Sequence, residues 1–215
     1  MRGGSQRYVE RLIASLSGVC RTGWLRTGTP VQAIRRCDQT VEVRTEAHGT
    51  ETFDEVILAV HSDQALALLE DASGAERSVL TDVAYQPNEA VLHSDPSVMP
   101  RERRAWSSWN YHLPREGTGA ATVTYWMNML QTLPEDPPFF VSLNRTADID
   151  PALVHRTISY GHPVYDPAAR KAQLRWSEVN GVQNTWFCGA WWGWGFHEDG
   201  VQSALRVTAS LGASL

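Results

Sequence analysis

The chain has 215 residues, 42% of them hydrophobic, enough for one large domain or two small ones with a core that needs no staples. Its net charge of −5 is spread over both signs, and its one tight basic cluster (Arg101, Arg103, Arg104) reads as a solvated face, which argues against a nucleic-acid partner. Cys20, Cys37 and Cys188 form no CxxC pair, no apolar run approaches a membrane span of ~20 residues, and the N-terminus lacks a secretory core, so a soluble cytoplasmic protein is expected.

Gly3-Gly4-Ser5 leads into an amphipathic helix over residues 6–16, with Tyr8, Leu12, Ile13 and Leu16 on one face. Ser5 is its expected N-cap, Gly18 its stop, and a sheet its expected packing partner. Three strand-like segments follow as a meander over residues 29–36, 40–46 and 52–60. The last ends in the apolar run Val56-Ile57-Leu58-Ala59-Val60, and Cys37-Asp38 and His48-Gly49 mark the turns. His61-Ser62-Asp63 then opens a helix over residues 64–70, capped by Ser62 or Asp63, with His61 read as a corner residue.

From Tyr85 to about Asn180 the composition changes. Strand-like runs recur at residues 89–93, 105–112, 120–129, 139–143 and 157–160, punctuated by Pro and Gly, which predicts an antiparallel sheet. Trp106, Trp109, Tyr111, Tyr125 and Trp126 sit on these strands. Nine tryptophans are many for this length, so several should line a core, a pocket or an interface. Residues 163–169 read as a Pro-containing loop and 170–176 as a short helix.

The stretch that carries chemistry comes last. Trp186 to Ala190 is an apolar strand, Trp191 to Gly195 alternates aromatics with glycines, and Val201, Ala204, Leu205 and Ala209 keep helical spacing to about Leu211. A strand, a glycine-rich loop and a helix N-terminus bring unpaired N–H groups and the positive end of a dipole to one place, which suits an anion or a polar ring.

At Gly195-Phe196-His197-Glu198-Asp199-Gly200, with Ser203 three further on, the chain resembles the C-terminal flavin motif of FAD-dependent amine-oxidase-like oxidoreductases. The meander ending Asp54-Glu55-Val56-Ile57-Leu58-Ala59 and the run Ala59-Val60-His61-Ser62-Asp63-Gln64-Ala65-Leu66 resemble the same family, the second its predicted NAD/FAD-binding flavin amine oxidase subgroup. The resemblance implies a mixed α+β or α/β chain with part of the two-dinucleotide-binding-domain flavoprotein fold. Residues 1–84 and 181–215 would belong to the FAD domain and 85–180 to an antiparallel substrate domain. It implies that Val31 passes the adenine, that Gly189 and Ala190 lie near the ribityl chain, and that Gly200, Val201 and Ser203 meet the flavin ring. Most members carry Glu where Ala190 stands. Trp191, Trp192, Trp194 and Phe196 would line the substrate face, for an amine or a flat unsaturated lipid. His197 and Glu198 are weak candidates for an acid/base pair and no metal is implied.

A complete member would begin with a strand, a GxGxxG turn and a helix that holds the FAD pyrophosphate. Neither Gly117-Thr118-Gly119 nor Gly193-Trp194-Gly195 completes that pattern. The chain is therefore expected to correspond to a C-terminal half, with Met1 an internal start, a truncation or one half of a split protein, and to bind FAD weakly or not at all alone. Two other readings stay open. One is a half-protein acting as a non-catalytic binding or assembly module. The other is a metal-dependent hydrolase, disfavoured because the seven histidines are scattered without HxH or HExxH spacing.

Overall fold

The structure is a computed structural model that describes residues 4–18, 20, 23–113, 122–134 and 136–213. In chain order it forms α1 (Gly4–Leu16), β1 (Val31–Cys37), β2 (Thr40–Thr45), β3 (Gly49–Phe53), β4 (Val56–Leu58), α2 (Ser62–Leu68) and α3 (Gly74–Thr81). Then come β5 (Tyr85–His93), β6 (Trp109–His112), β7 (Thr122–Trp126), α4 (Met127–Gln131), β8 (Phe140–Leu143) and β9 (Val154–Pro163). The chain closes with α5 (Pro167–Leu174), α6 (Trp176–Val179), β10 (Thr185–Phe187) and α7 (His197–Ser210). Two units share these elements, one of residues Met1–Arg21 and Pro87–His162, the other of Thr22–Gln86 and Pro163–Leu215.

The first unit holds a five-stranded sheet in the order β6-β7-β8-β5-β9, antiparallel at β6–β7, β7–β8 and β5–β8, as the Pro- and Gly-punctuated runs predict. Val91, Val98 and Ile149 form its small core. Polar groups buried in the sheet answer one another: His93 Nε2 pairs with Ser142 Oγ at 2.9 Å, Ser142 with Thr124 Oγ1 at 2.7 Å, and His93 Nδ1 accepts the Asp95 N–H at 3.1 Å. Burial holds the His93 pKa below the ordinary value, which favours the neutral ring that this pattern needs. The α1 helix forms where periodicity places it, but it starts at Gly4, so Ser5 lies inside rather than capping it. Its apolar face is not buried as a sheet-packed face would be: Tyr8, Val9, Leu12, Ile13 and Leu16 all stay exposed.

The second unit carries the expected meander, with a correction. β1, β2 and β3 form one antiparallel sheet, and the apolar run after them is a separate strand. Asp54-Glu55 break the chain, and β4 pairs in parallel with β10, from Val56↔Thr185 to Leu58↔Phe187. Ladder bonds run from Val56 N–H to Asn184 C=O (2.9 Å) and from Cys188 N–H to Leu58 C=O (3.0 Å). Parallel strands are normally buried on both faces, yet Ile57 is 44% exposed, and no strand pairs with the second edge of β4 among the described residues. Ile34, Val41, Leu58, Val79, Leu80, Phe187 and Trp191 make the core of this unit.

Two helices bracing that core differ from the sequence reading. α2 begins two residues early, with His61 in the N-cap position and its N–H held by the Gln64 side chain at 3.2 Å. α3 was not expected, although Ser73-Gly74-Ala75-Glu76 spells a capping box: Ser73 Oγ accepts the Glu76 N–H and Glu76 accepts the Ser73 N–H. Glu76 also pairs with Arg36 of β1 at 2.7 and 2.9 Å, while Asp71 holds the same guanidinium at 2.7 Å, so a buried ion pair ties sheet to helix.

Candidate functional site

The carboxyl ends of parallel strands are where α/β sheets bind ligands, and here β4 and β10 end side by side. After Phe187, β10 runs through Cys188 and Gly189 into a short 3₁₀ turn at Ala190–Trp192, a loop, and α7. The strand end is strapped to the helix by Ser203, whose Oγ accepts the Gly189 N–H and donates to the Gly200 C=O, both at 2.8 Å. The loop is held by Gln173 of α5, whose amide group donates to the Trp191 and Gly193 carbonyls at 2.8 and 2.6 Å. The Ala190 C=O accepts from the Gly193 and Gly195 N–H groups at 3.0 and 3.1 Å.

The four aromatics divide into two pairs. Trp191 is buried, donates to the Val60 C=O at 3.1 Å, and stacks on Trp192 at 4.2 Å between centroids, while Trp192 donates to the Phe187 C=O at 3.0 Å. Both indoles are thus committed to the protein. Trp194 and Phe196 are 56% and 57% exposed and form the outward pair. Tyr165, just after β9, stands edge-on to Trp194 at 5.7 Å. Its buried hydroxyl has no hydrogen-bond partner among the described residues, and burial pushes its pKa up to about 12.

The helix does not open at Gly200, as the apolar spacing suggests, but three residues earlier at His197. The cause is Asp199, whose Oδ2 accepts the Trp194 and Phe196 N–H groups at 3.0 and 2.9 Å and so nucleates the first turn. Polar residues at 197–199 carry no apolar period, which hid that turn from the sequence reading. The Gly200 N–H consequently donates within the helix, to the Phe196 C=O at 3.2 Å. The unpaired N–H groups of the first turn belong to His197, Glu198 and Asp199. His197 and Glu198 are not joined: Glu198 accepts from Gln202 at 2.6 Å.

The glycines of this region separate by what crowds them. A Cβ on Gly189 would stand 2.7 Å from Trp191 Nε1, one on Gly195 2.6 Å from the Tyr165 hydroxyl, and one on Gly193 against the Asp199 carboxylate. Protein packing demands those three. Gly200 is different, since a Cβ there would meet only Ala190, at 3.8 and 3.9 Å, an ordinary contact. Glycine in a helix costs about 0.5–1 kcal/mol relative to alanine, and no described residue crowds the position so as to require it here. Val201, next in the helix, is 46% exposed.

A second feature of the same unit is a cavity of about 680 Å³ beside β4, lined by residues that include Val31, Ile34, Val43, Ile57, Val60 and Leu68. Val31 is the first residue of β1, 37% exposed, and lies where the β1–β2 register shifts. No metal-binding cluster of His, Cys, Asp and Glu occurs among the described residues, and none of their helices is long and apolar enough to cross a membrane.

No curated protein sequence matches the chain. Solved structures do. A fatty acid isomerase from P. acnes that produces CLA superposes with a TM-score of 0.65 at 16% identity, over 97% of this chain and 52% of its own. Putrescine oxidase bound to putrescine gives a TM-score of 0.62 at 13% identity, over 99% of this chain and 53% of its own. Cyclohexylamine oxidase from Brevibacterium oxydans IH-35A gives 0.56 at 16% identity, over 86% and 49%. The chain therefore has part of the amine-oxidase fold and spans about half the length of these structures. Residues 1–138 match the flavin containing amine oxidoreductases, and the chain belongs to that family.

Proposed function

We propose that this chain supplies the C-terminal half of an FAD-dependent oxidoreductase of the amine-oxidase type. The observation that carries the proposal is Gly200, a helical glycine that protein packing does not require, at the carboxyl ends of a parallel strand pair. In this reading the ring lies against Gly200 and Val201, the ribityl chain passes Gly189 and Ala190, and Val31 sits at the adenine end. Ser203 acts through its strap on Gly189 rather than by direct contact. Bound FAD would supply the chemistry, accepting a hydride from a substrate C–H bond. The residues of this chain would hold it and position the substrate, an amine or an unsaturated lipid-like molecule, against Trp194 and Phe196 by dispersion and π contact. The antiparallel sheet would serve as the substrate domain.

The open edge of β4 and the apolar cavity beside it support a second element of the proposal: the site is completed by a strand, glycine turn and helix that this chain does not contain. Each charge-assisted phosphate contact such a segment provides is worth about 1.5–3 kcal/mol, so the chain alone should hold FAD weakly. The test is the visible absorption spectrum of the purified chain with FAD, alone and with a polypeptide carrying the missing segment. A flavin band is expected only in the second case. If the reconstituted pair shows no band at saturating FAD, the flavin reading fails and the chain is left as a non-catalytic assembly module.

A further inference from the structure

A cavity of about 170 Å³ lies between α5, α6 and α7, lined by residues that include Gln173, Trp176, Asp199, Gln202, Ser203 and Arg206. Most of its polar groups are already answered. Gln173 donates to the Trp191 and Gly193 carbonyls, and its own oxygen accepts from Arg170 at 2.7 Å. Ser203 is used at both ends of its strap, and Gln202 donates to Glu198. The one acid in the lining, Asp199, is engaged by the Trp194 and Phe196 N–H groups and sits in the first turn of α7, where the helix dipole offsets its charge.

Two donors have no protein acceptor among the described residues, and they are neighbours. The Trp176 side chain is buried, and its indole N–H has no acceptor among the described residues. A buried donor left without a partner costs about 1–3 kcal/mol. The guanidinium of Arg206, an exposed residue of α7, stacks on the same indole, 3.8 Å from the ring centroid, and meets no carboxylate among the described residues. Stacking occupies the flat face of a guanidinium and leaves its edge N–H groups in plane, the geometry that grips an oxyanion in a fork. Both unused groups are donors and one is a fixed cation, so the ligand they lack is an acceptor carrying negative charge.

We propose that this cavity binds a small oxyanion, the carboxylate or phosphate group of a metabolite, gripped by Arg206 and the Trp176 indole N–H. The proposal is independent of the flavin reading, because none of its donors belongs to the Gly189–Gly200 site. It is tested on the full chain by following indole N–H resonances in ¹H–¹⁵N spectra during titration with inorganic phosphate and, separately, acetate, against chloride at matched ionic strength. The Trp176 signal is identified by its disappearance in Trp176→Phe. It should shift saturably with at least one of the two oxyanions, and which one names the class. Arg206→Gln should weaken that response tenfold or more, and Arg206→Lys, which keeps the charge without the planar fork, should fall between. The proposal is overturned if the Trp176 signal responds no more to either oxyanion than to chloride, or if Arg206→Gln responds as the unaltered chain does.

Discussion

Gly200→Ala separates the packing of this protein from its proposed ligand. Gly200 is the fourth residue of α7, and a Cβ at that point meets nothing closer than 3.8 Å. Alanine therefore adds no clash and removes the entropic penalty of a helical glycine, about 0.8–1 kcal/mol in a helix interior. The expected gain in stability is about 0.5–1 kcal/mol, which for a chain of this size raises Tm by about 1–4 °C. In the FAD-competent reconstituted protein the same methyl would stand between the helix and the ring. Overpacking of that kind costs about 1–3 kcal/mol, so FAD affinity should fall by about five- to a hundredfold, since 1.4 kcal/mol is a factor of ten. Urea unfolding of the chain reads the first effect, and titration of the flavin band in the reconstituted protein reads the second. Unchanged FAD affinity would refute the argument that Gly200 is bare for a ligand. A loss of stability in the chain alone would refute the argument that packing leaves it room.

Gly189→Ala should behave in the opposite way. Its φ of +154° disfavours a side chain, and the new Cβ would run into Trp191, which cannot retreat because Val60 and Trp192 hold it. A loss of about 2 kcal/mol or more is expected by urea unfolding, part of it recovered in a Trp191→Phe background, where a smaller ring relieves the clash. Glu76→Gln should cost about 3 kcal/mol, because it leaves the buried Arg36 guanidinium with Asp71 alone. Burial pushes the Glu76 carboxyl up, but the Arg36 and Ser73 hydrogen bonds outweigh it and hold its folded pKa below the ordinary glutamate value. The stability it contributes is present above the unfolded pKa and lost as pH falls toward the folded one. Acid titration of unfolding free energy should show that slope in the unaltered chain and a shallower one in Glu76→Gln.

Local signals decided much of this molecule. Alternation with turn residues marked β1 and β2, apolar spacing marked α1 and the body of α7, and Pro and Gly punctuation marked an antiparallel sheet. The run from Gly195 to Ser203 resembled the family, and the match that shows it lies over residues 1–138. These features survive in a linear reading because a strand or an amphipathic helix is written in the order of adjacent residues. The capping box at Ser73–Glu76 is equally local, and Asp199 starting α7 is the same kind of signal.

What only the tertiary structure decided are pairings between residues far apart in sequence. β4 leaves the meander to join β10, about 130 positions away, because its apolar residues find a partner there and not beside β3. Trp191 and Trp192 turn into the core while Trp194 and Phe196 turn out, a choice made by the Val60 and Phe187 carbonyls. Whether a glycine serves the protein or a ligand depends on which side chain stands over it, and that distance does not exist until the chain has folded.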